Sequence, residues 1–306
     1  MAGVAAARVL SRRGVPVRLY ERQGDLGGRL GAAQLGEHWV GLGATYIKAK
    51  DPLFKAEMAR WEELGVAVEW AVGVPHFIEA PGSFSERPEL KAETDRWHVG
   101  RPSMGSLVEL SVEDLEHITR CGEVDSVSWE EEAWLLNGCD SVSALIMALP
   151  LAPLRSLLPA GTVEGMLPAD LLAKDFEKVK DSPISLVLDD SSRIPRHGAE
   201  VEVWVAQTST EWAAQCIKDA MPEAEVSSVL LREFSRILGK ELPKPLHEKA
   251  LVWPYGDMDY KLSEGHAWDA RRQLALAGDW CYNGRVEGAW LSGHHAAAKV
   301  LEALQG

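Results

Sequence analysis

GVAAARVLSRRGVPVRLYE, from Gly3 to Glu21, is the stretch that decides the fold. Gly3 to Arg13 is built from good helix formers, with Ala and Leu prominent, and Gly14 supplies the stop. Val15 to Tyr20 then reads as a strand that closes on an acid, Glu21. A helix, a tight turn and a strand ending in an acid make up the second half of a dinucleotide-binding βαβ unit. In a complete unit a buried strand and the first two glycines of G-x-G-x-x-G come before the helix. Gly3 stands in the place of the third glycine, and Glu21 follows 18 residues later, close to the ~20-residue spacing at which an acid bonds a ribose hydroxyl. The first strand and first two glycines do not precede Gly3, so the expectation is a Rossmann-type domain that is truncated at its N-terminus. Four arginines and no acid in the first twenty residues also suit an Arg-rich targeting segment, but the helix–turn–strand pattern fits better.

Directly after the acid comes Gln23-Gly24-Asp25-Leu26-Gly27-Gly28-Arg29-Leu30. Adjacent glycines leave backbone N–H groups unshielded, and an arginine beside them suits bidentate binding of an anion. Taken alone, the pair also fits a plain turn. Placed here, the segment resembles the FAD-binding flavoprotein oxidoreductases of the amine-oxidase type, in which Gly-Gly-Arg after the acid holds the flavin pyrophosphate. The resemblance continues from Gly41 to Phe54, which looks like the renalase-like branch of these enzymes. It implies that Gly43 and Ala44 let the backbone approach the isoalloxazine ring, with Thr45 and Tyr46 beside it. Leu42 stands where that branch usually has histidine. Asp51-Pro52 reads as an N-cap followed by proline, opening a helix through Trp61.

The most specific stretch is LALAGDWCYNGRVEGAWLSG, Leu274 to Gly293. Physically it is an apolar strand, a Gly-Asp turn, a short loop and a long helix running to about Leu304. At the strand's end Asp279 is placed to accept a ribityl hydroxyl. Gly288 and Ala289 fall in the first turn of the helix, where free N–H groups and the dipole favour negative charge. G-D-W-x(3)-G-R-V-E-G-A is close to a signature of the renalase-like flavoproteins. What the resemblance implies is a cofactor set of Gly3, Glu21, Arg22, Gly28, Arg29, Gly43, Ala44, Thr45, Val124, Gly278, Asp279, Arg285, Val286, Glu287, Gly288 and Ala289 around FAD. It assigns the reacting side of the ring to Tyr46, Trp280 and Asn283. His294-His295 has no third ligand at a suitable spacing and reads as ordinary helix histidines, so no metal is expected.

Between these ends, Ser103 to Leu107 resembles the family's helix opening, and the resemblance puts Val124 where the family's short strand contacts adenine. Trp129 to Leu136 and Val142 to Leu149 read as strands, and Glu130-Glu131-Glu132 as a solvated hairpin. Strands are expected at Ile184 to Leu188 and Val201 to Ala206, then an amphipathic helix between Met221 and Leu238. Ala250 to Gly256 resembles a strand leading back to the flavin. The fold class is therefore α/β: a Rossmann-type FAD-binding domain of residues 1–70, 99–158 and 269–306, with an inserted α+β substrate domain of residues 71–98 and 159–268 on a mixed sheet.

Composition narrows the function. Apolar residues make up 46% and charged residues 25% of 306, the profile of an ordinary globular protein. A net charge of −14 argues against nucleic acid and anionic membrane as partners. The four cysteines are far apart, without a C-x-x-C pair, and point to the reducing cytoplasm. There is no G-x-S-x-G elbow and no H-E-x-x-H zinc motif. The resemblance implies an oxidoreductase passing a hydride from a small substrate to flavin N5, with O2 as acceptor. Its renalase-like side implies an isomeric dihydronicotinamide dinucleotide as donor, stacked among aromatics such as Tyr46, Trp253, Tyr255 and Trp280. An anionic donor then needs a local basic patch, for which Arg193, Arg196, Arg271 and Arg272 are candidates. The alternatives are a flavin amine oxidase acting on a small amine, and a non-catalytic remnant that does not retain FAD.

Overall fold

The computed structural model describes residues 1–22, 26–36, 38–41, 43–70, 76–80, 83–86, 96–113, 115, 118–168, 182–190, 201–253 and 261–305. The first helix, Ala2–Ser11, ends three residues before Gly14, whose φ of +74° suits glycine. The strand Val17–Tyr20 follows and pairs in parallel with Ile118–Cys121. A second sheet holds Leu274–Leu276, parallel to Leu145–Met147 and antiparallel to Ala267–Asp269. The first helix and the last, Val286–Gln305, pack on these strands and on each other.

Small residues make that packing close. A Cβ on Gly293 would lie 2.0 Å from the carbonyl oxygen of Ala2, so helix backbone touches helix backbone. Ala2, Ala275, Ala277, Ala289 and Ala296 form a layer in which no side chain extends beyond one methyl. Gly3 brings the first helix onto the strand end, where its absent Cβ would sit 3.3 Å from that of Ala148. Beneath the first helix, buried Arg8 donates to the Ser111 carbonyl at 3.1 Å and lies 3.7 Å from Glu57, which also pairs with Arg60 at 2.8 Å. That polar knot ties the first helix to the helices Pro52–Glu63 and Ser106–Glu113.

Asp51 caps the helix Pro52–Glu63, its Oδ1 accepting from the Leu53 N–H at 2.8 Å. Next to that helix a small antiparallel sheet joins Ile47–Lys48, Trp97–Gly100 and Ala67–Glu69. Trp61, Trp70, Trp97 and Trp290 fill the core there, which accounts for a third of the twelve tryptophans as packing.

A four-stranded sheet runs in the order Trp204–Thr208, Ile184–Asp189, His76–Ala80, Ser83–Glu86. Helices Thr210–Lys218 and Glu223–Leu238 accompany it, and Ile184, Val187, Phe234 and Ile237 form its core. All its described pairs are antiparallel, which corrects the expected mixed sheet. Val163 and Leu167 pack with Leu274, Leu276 and Trp280 in one core. One further expectation shifts. The run from Val142 to Leu149 is divided, because Asp140–Val142 pairs with the hairpin strand Ala133–Leu136 while Leu145–Met147 pairs with Leu274–Leu276. Glu131 and Glu132, both with positive φ, form the exposed turn between Ala133–Leu136 and its other antiparallel partner, Val127–Glu130.

Candidate active site

The front and the tail of the chain meet at one ion pair. Gly27 and Gly28, with φ of +124° and +55°, turn the backbone after the first strand and deliver Arg29 into a cleft. Asp279 comes from the opposite end of the sequence, at the carboxyl end of Leu274–Leu276. The Arg29 Nη2 donates to Asp279 Oδ1 at 2.5 Å, with the two side chains 29% and 13% exposed. A Cβ on Gly28 would meet nothing within 4 Å, so the backbone there faces open space. The cleft is about 3370 Å³ and is lined from both ends of the chain and from the antiparallel sheet.

The early middle of the chain is clamped against the same turn. The Ala44 N–H donates to the Arg29 carbonyl at 2.9 Å, and a Cβ on Gly43 would lie 2.2 Å from that oxygen. Gly43 is therefore required by backbone contact. Its own carbonyl accepts from Gln207 Nε2 at 2.6 Å, which anchors the antiparallel sheet to the cradle. Thr45 is buried and Tyr46 is partly buried, its ring stacked on Trp97 at 4.4 Å between centroids. Burial pushes the Tyr46 phenol above its ordinary value, with Arg285 pulling the other way. The phenol therefore stays protonated at working pH and keeps its O–H.

At the tail, the chain turns through Asp279–Cys281 and enters the last helix at Val286. Its first-turn N–H groups sit at the cleft with Arg285, Val286, Glu287 and Ala289 in the lining. Gly288 lies underneath, where a Cβ would meet the Tyr282 carbonyl oxygen at 1.8 Å. The Glu287 carboxylate is committed elsewhere: its Oε1 accepts from the Lys50 and Asp51 N–H groups at 2.6 and 2.8 Å. It pins the last helix to the loop that follows Tyr46. Gly278 donates its N–H to Ser292 Oγ at 3.0 Å, fixing the Gly-Asp turn on the helix.

Of the residues singled out from the sequence, Gly3, Glu21, Arg22, Gly28, Arg29, Gly43, Ala44, Thr45, Tyr46, Val124, Gly278, Asp279, Trp280, Arg285, Val286, Glu287 and Ala289 line the one cleft. Two do not. Gly288 supports it from below, and Asn283 is exposed in an Asn-Gly turn with φ of +70°, a conformation asparagine tolerates. Trp280 is 3% exposed and donates its indole N–H to the Leu149 carbonyl at 3.0 Å, so most of its ring is packing. Arg271 and Arg272 are not in the cleft lining; Arg272 is held by Asp269 at 2.6 Å. Leu42, Gln23 to Asp25, Arg193, Arg196 and Tyr255 lie outside the described residues. Gln207 escaped the sequence reading, since a lone glutamine in a strand carries no pattern. Among the described residues no cluster of three or more His, Cys, Asp or Glu is arranged to hold a metal, and no helix is long and apolar enough to cross a membrane.

Fold and site together define a dinucleotide-cofactor α/β protein whose cofactor groove opens onto a second, antiparallel sheet. The flavin containing amine oxidoreductase family matches residues 1–70 and 173–301, and the chain belongs to that family. Solved structures share the fold across nearly the whole chain. A putative protoporphyrinogen oxidase from Exiguobacterium sp. 255-15 is similar at 12% identity and a TM-score of 0.71, covering 100% of this chain and 97% of that one. A putrescine oxidase variant from a redesign of cofactor binding is similar at 13% identity and a TM-score of 0.61, covering 98% and 96%.

FAD is the cofactor of this family member, and the protein is an FAD-dependent oxidoreductase. The residues present fit it on their chemistry. Arg29 offers a guanidinium to phosphate, Glu21 and Asp279 offer carboxylates to hydroxyls, and the first turn of the last helix offers N–H groups to a carbonyl edge. The open space at Gly28 leaves room for a phosphate against the backbone.

Proposed function

We propose that this chain oxidises a small dihydronicotinamide-type dinucleotide by removing a hydride, in the manner of the renalase-like flavoproteins. The observation that carries the proposal is the convergence of Arg29, Gly43–Tyr46, Asp279 and Arg285–Glu287 on one cleft. The chemistry that a bound FAD supplies is hydride acceptance at N5, with O2 taking the electrons. The protein's share is binding, orientation and charge. Arg29 and the turn at Gly27-Gly28 hold the phosphates, Glu21 a ribose, Val124 the adenine end and Asp279 the ribityl chain. The N–H groups of Val286 to Gly288 favour negative charge at the pyrimidine edge, which is where hydride acceptance needs help. Tyr46, protonated and stacked on Trp97, forms a rigid aromatic side to the substrate space.

An amine is the second candidate donor, and the family match favours it. Anaerobic mixing of the FAD-loaded protein with isomeric dihydronicotinamide dinucleotides and with small amines separates the two. Rapid bleaching of the visible flavin band by the dinucleotides supports the proposal, whereas bleaching by amines alone overturns it. A protein that takes up no FAD would be the non-catalytic remnant instead.

A further inference from the structure

Gln207 occupies an unusual position in the antiparallel sheet. Its strand pairs with Ile184–Asp189, and the register shifts between Ile184, opposite Thr208, and Leu186, opposite Gln207. Ser185 is the extra residue, and its Oγ donates toward the carbonyls of both Gln207 and Thr208, at 3.2 and 2.9 Å. A bulge of this kind re-aims the side chains beside it and is frequent next to active sites. Here it sends the Gln207 carboxamide out of the sheet to the Gly43 carbonyl, 164 residues earlier in sequence.

That bond fixes which way the amide faces. A carbonyl accepts only from the amide nitrogen, so Nε2 is the end at Gly43, and Oε1 is the end left over. Gly43 itself does not yield, because its backbone is pressed on Arg29 and Ala44 donates to the same Arg29 carbonyl. Arg29 is in turn paired with Asp279. Gln207 thus ends a chain of polar contacts that starts in the cofactor cradle, and it lines the cleft. Among the described residues no donor reaches its Oε1.

We propose that Gln207 is a specificity-determining residue whose Oε1 accepts a hydrogen bond from an N–H of the substrate, the carboxamide of a nicotinamide-type ring being the class it fits. This rests on the proposed function, since it concerns the substrate of the same cleft. An amide locked by its nitrogen has only an acceptor to offer, so it welcomes a primary carboxamide and discriminates against an ester of the same shape.

The test uses the full-length, FAD-loaded protein and two non-reacting probes, nicotinamide and methyl nicotinate, titrated against the visible flavin spectrum. The native protein is expected to bind nicotinamide about tenfold more tightly, the discrimination of one ordinary hydrogen bond. Gln207→Leu and Gln207→Met should bring the two probes to equal affinity, read within each variant as the ratio of the two dissociation constants. Equal affinity in the native protein, or a preference that survives in either variant, overturns the role of Gln207. Failure of the native protein to take up FAD instead overturns the underlying reading, and the role of Gln207 with it.

Discussion

The cleft has two walls that are made differently. On the wall formed by the front, early middle and tail of the chain, backbone meets backbone: Gly43 against Arg29 and, behind the lining, Gly288 against Tyr282 and Gly293 against Ala2. On the facing wall, from the antiparallel sheet and the segment after it, side chains do the reaching. Gln207 spans to Gly43, while Trp204 and Leu246 line the cleft with large exposed surfaces, Leu246 being 75% exposed. A wall built by backbone contact tolerates no added atom and holds one ligand shape. A wall built by side chains changes its preferences without disturbing the fold, which suits the side we propose chooses the substrate.

The contrast is easiest to break with a methyl group. Gly288→Ala places a Cβ against the Tyr282 carbonyl, so the first turn of the last helix must move. We expect a loss of about 3 kcal/mol, at the upper end for overpacking, and loss of bound FAD, read by chemical denaturation and by the flavin-to-protein ratio. Gly293→Ala should cost a similar amount by separating the first and last helices. Retention of both stability and flavin in Gly288→Ala would show that the cofactor wall is not backbone-limited.

Arg29→Met comes next. It removes a charge-assisted donor and leaves Asp279 without its cation, and FAD should bind roughly 10- to 100-fold more weakly, as measured by titration of the FAD-free protein. The facing wall should answer quietly. Leu246→Ser is expected to change stability by less than about 0.5 kcal/mol while altering the affinity for aromatic probes.

The smallest effect is one of pH. Burial lowers the pKa of His266 and of His294 below the ordinary 6.5, so the native state binds fewer protons than the unfolded one. Their contribution to stability is intact above about pH 6.5 and is lost as pH falls through the lowered folded values. His266→Gln should flatten the decline of denaturation midpoint on acidification below pH 6.5. An unchanged slope would place the acid sensitivity elsewhere.

The same contrast explains what was legible in the sequence. Gly43 and Gly288 are demanded by backbone proximity, Gly3 by the nearness of the Ala148 methyl and Gly28 by its positive φ, and such demands leave a visible trace in composition and spacing. The helix at Ala2–Ser11, the strand at Val17–Tyr20 and the strand–turn–helix around Asp279 were readable for that reason. The pairing of Leu145–Met147 with Leu274–Leu276 was not, because two apolar runs carry no record of their partner. The division of Val142 to Leu149 follows from that unseen partner. Gln207 was invisible because its role depends on a bulge and on a carbonyl far away in the chain. Asn283 went the other way: it stands inside the signature stretch, yet its turn conformation, exposed and outside the cleft, sets it apart from the site.

The most direct test is the visible absorption spectrum of the purified protein, recorded with graded additions of FAD alongside Arg29→Met and Gly288→Ala. The account predicts that the native protein takes up one FAD per chain, with a structured flavin band and a raised unfolding temperature, and that both variants bind it more weakly. A native protein that stays colourless, with an unfolding temperature indifferent to FAD, would contradict it.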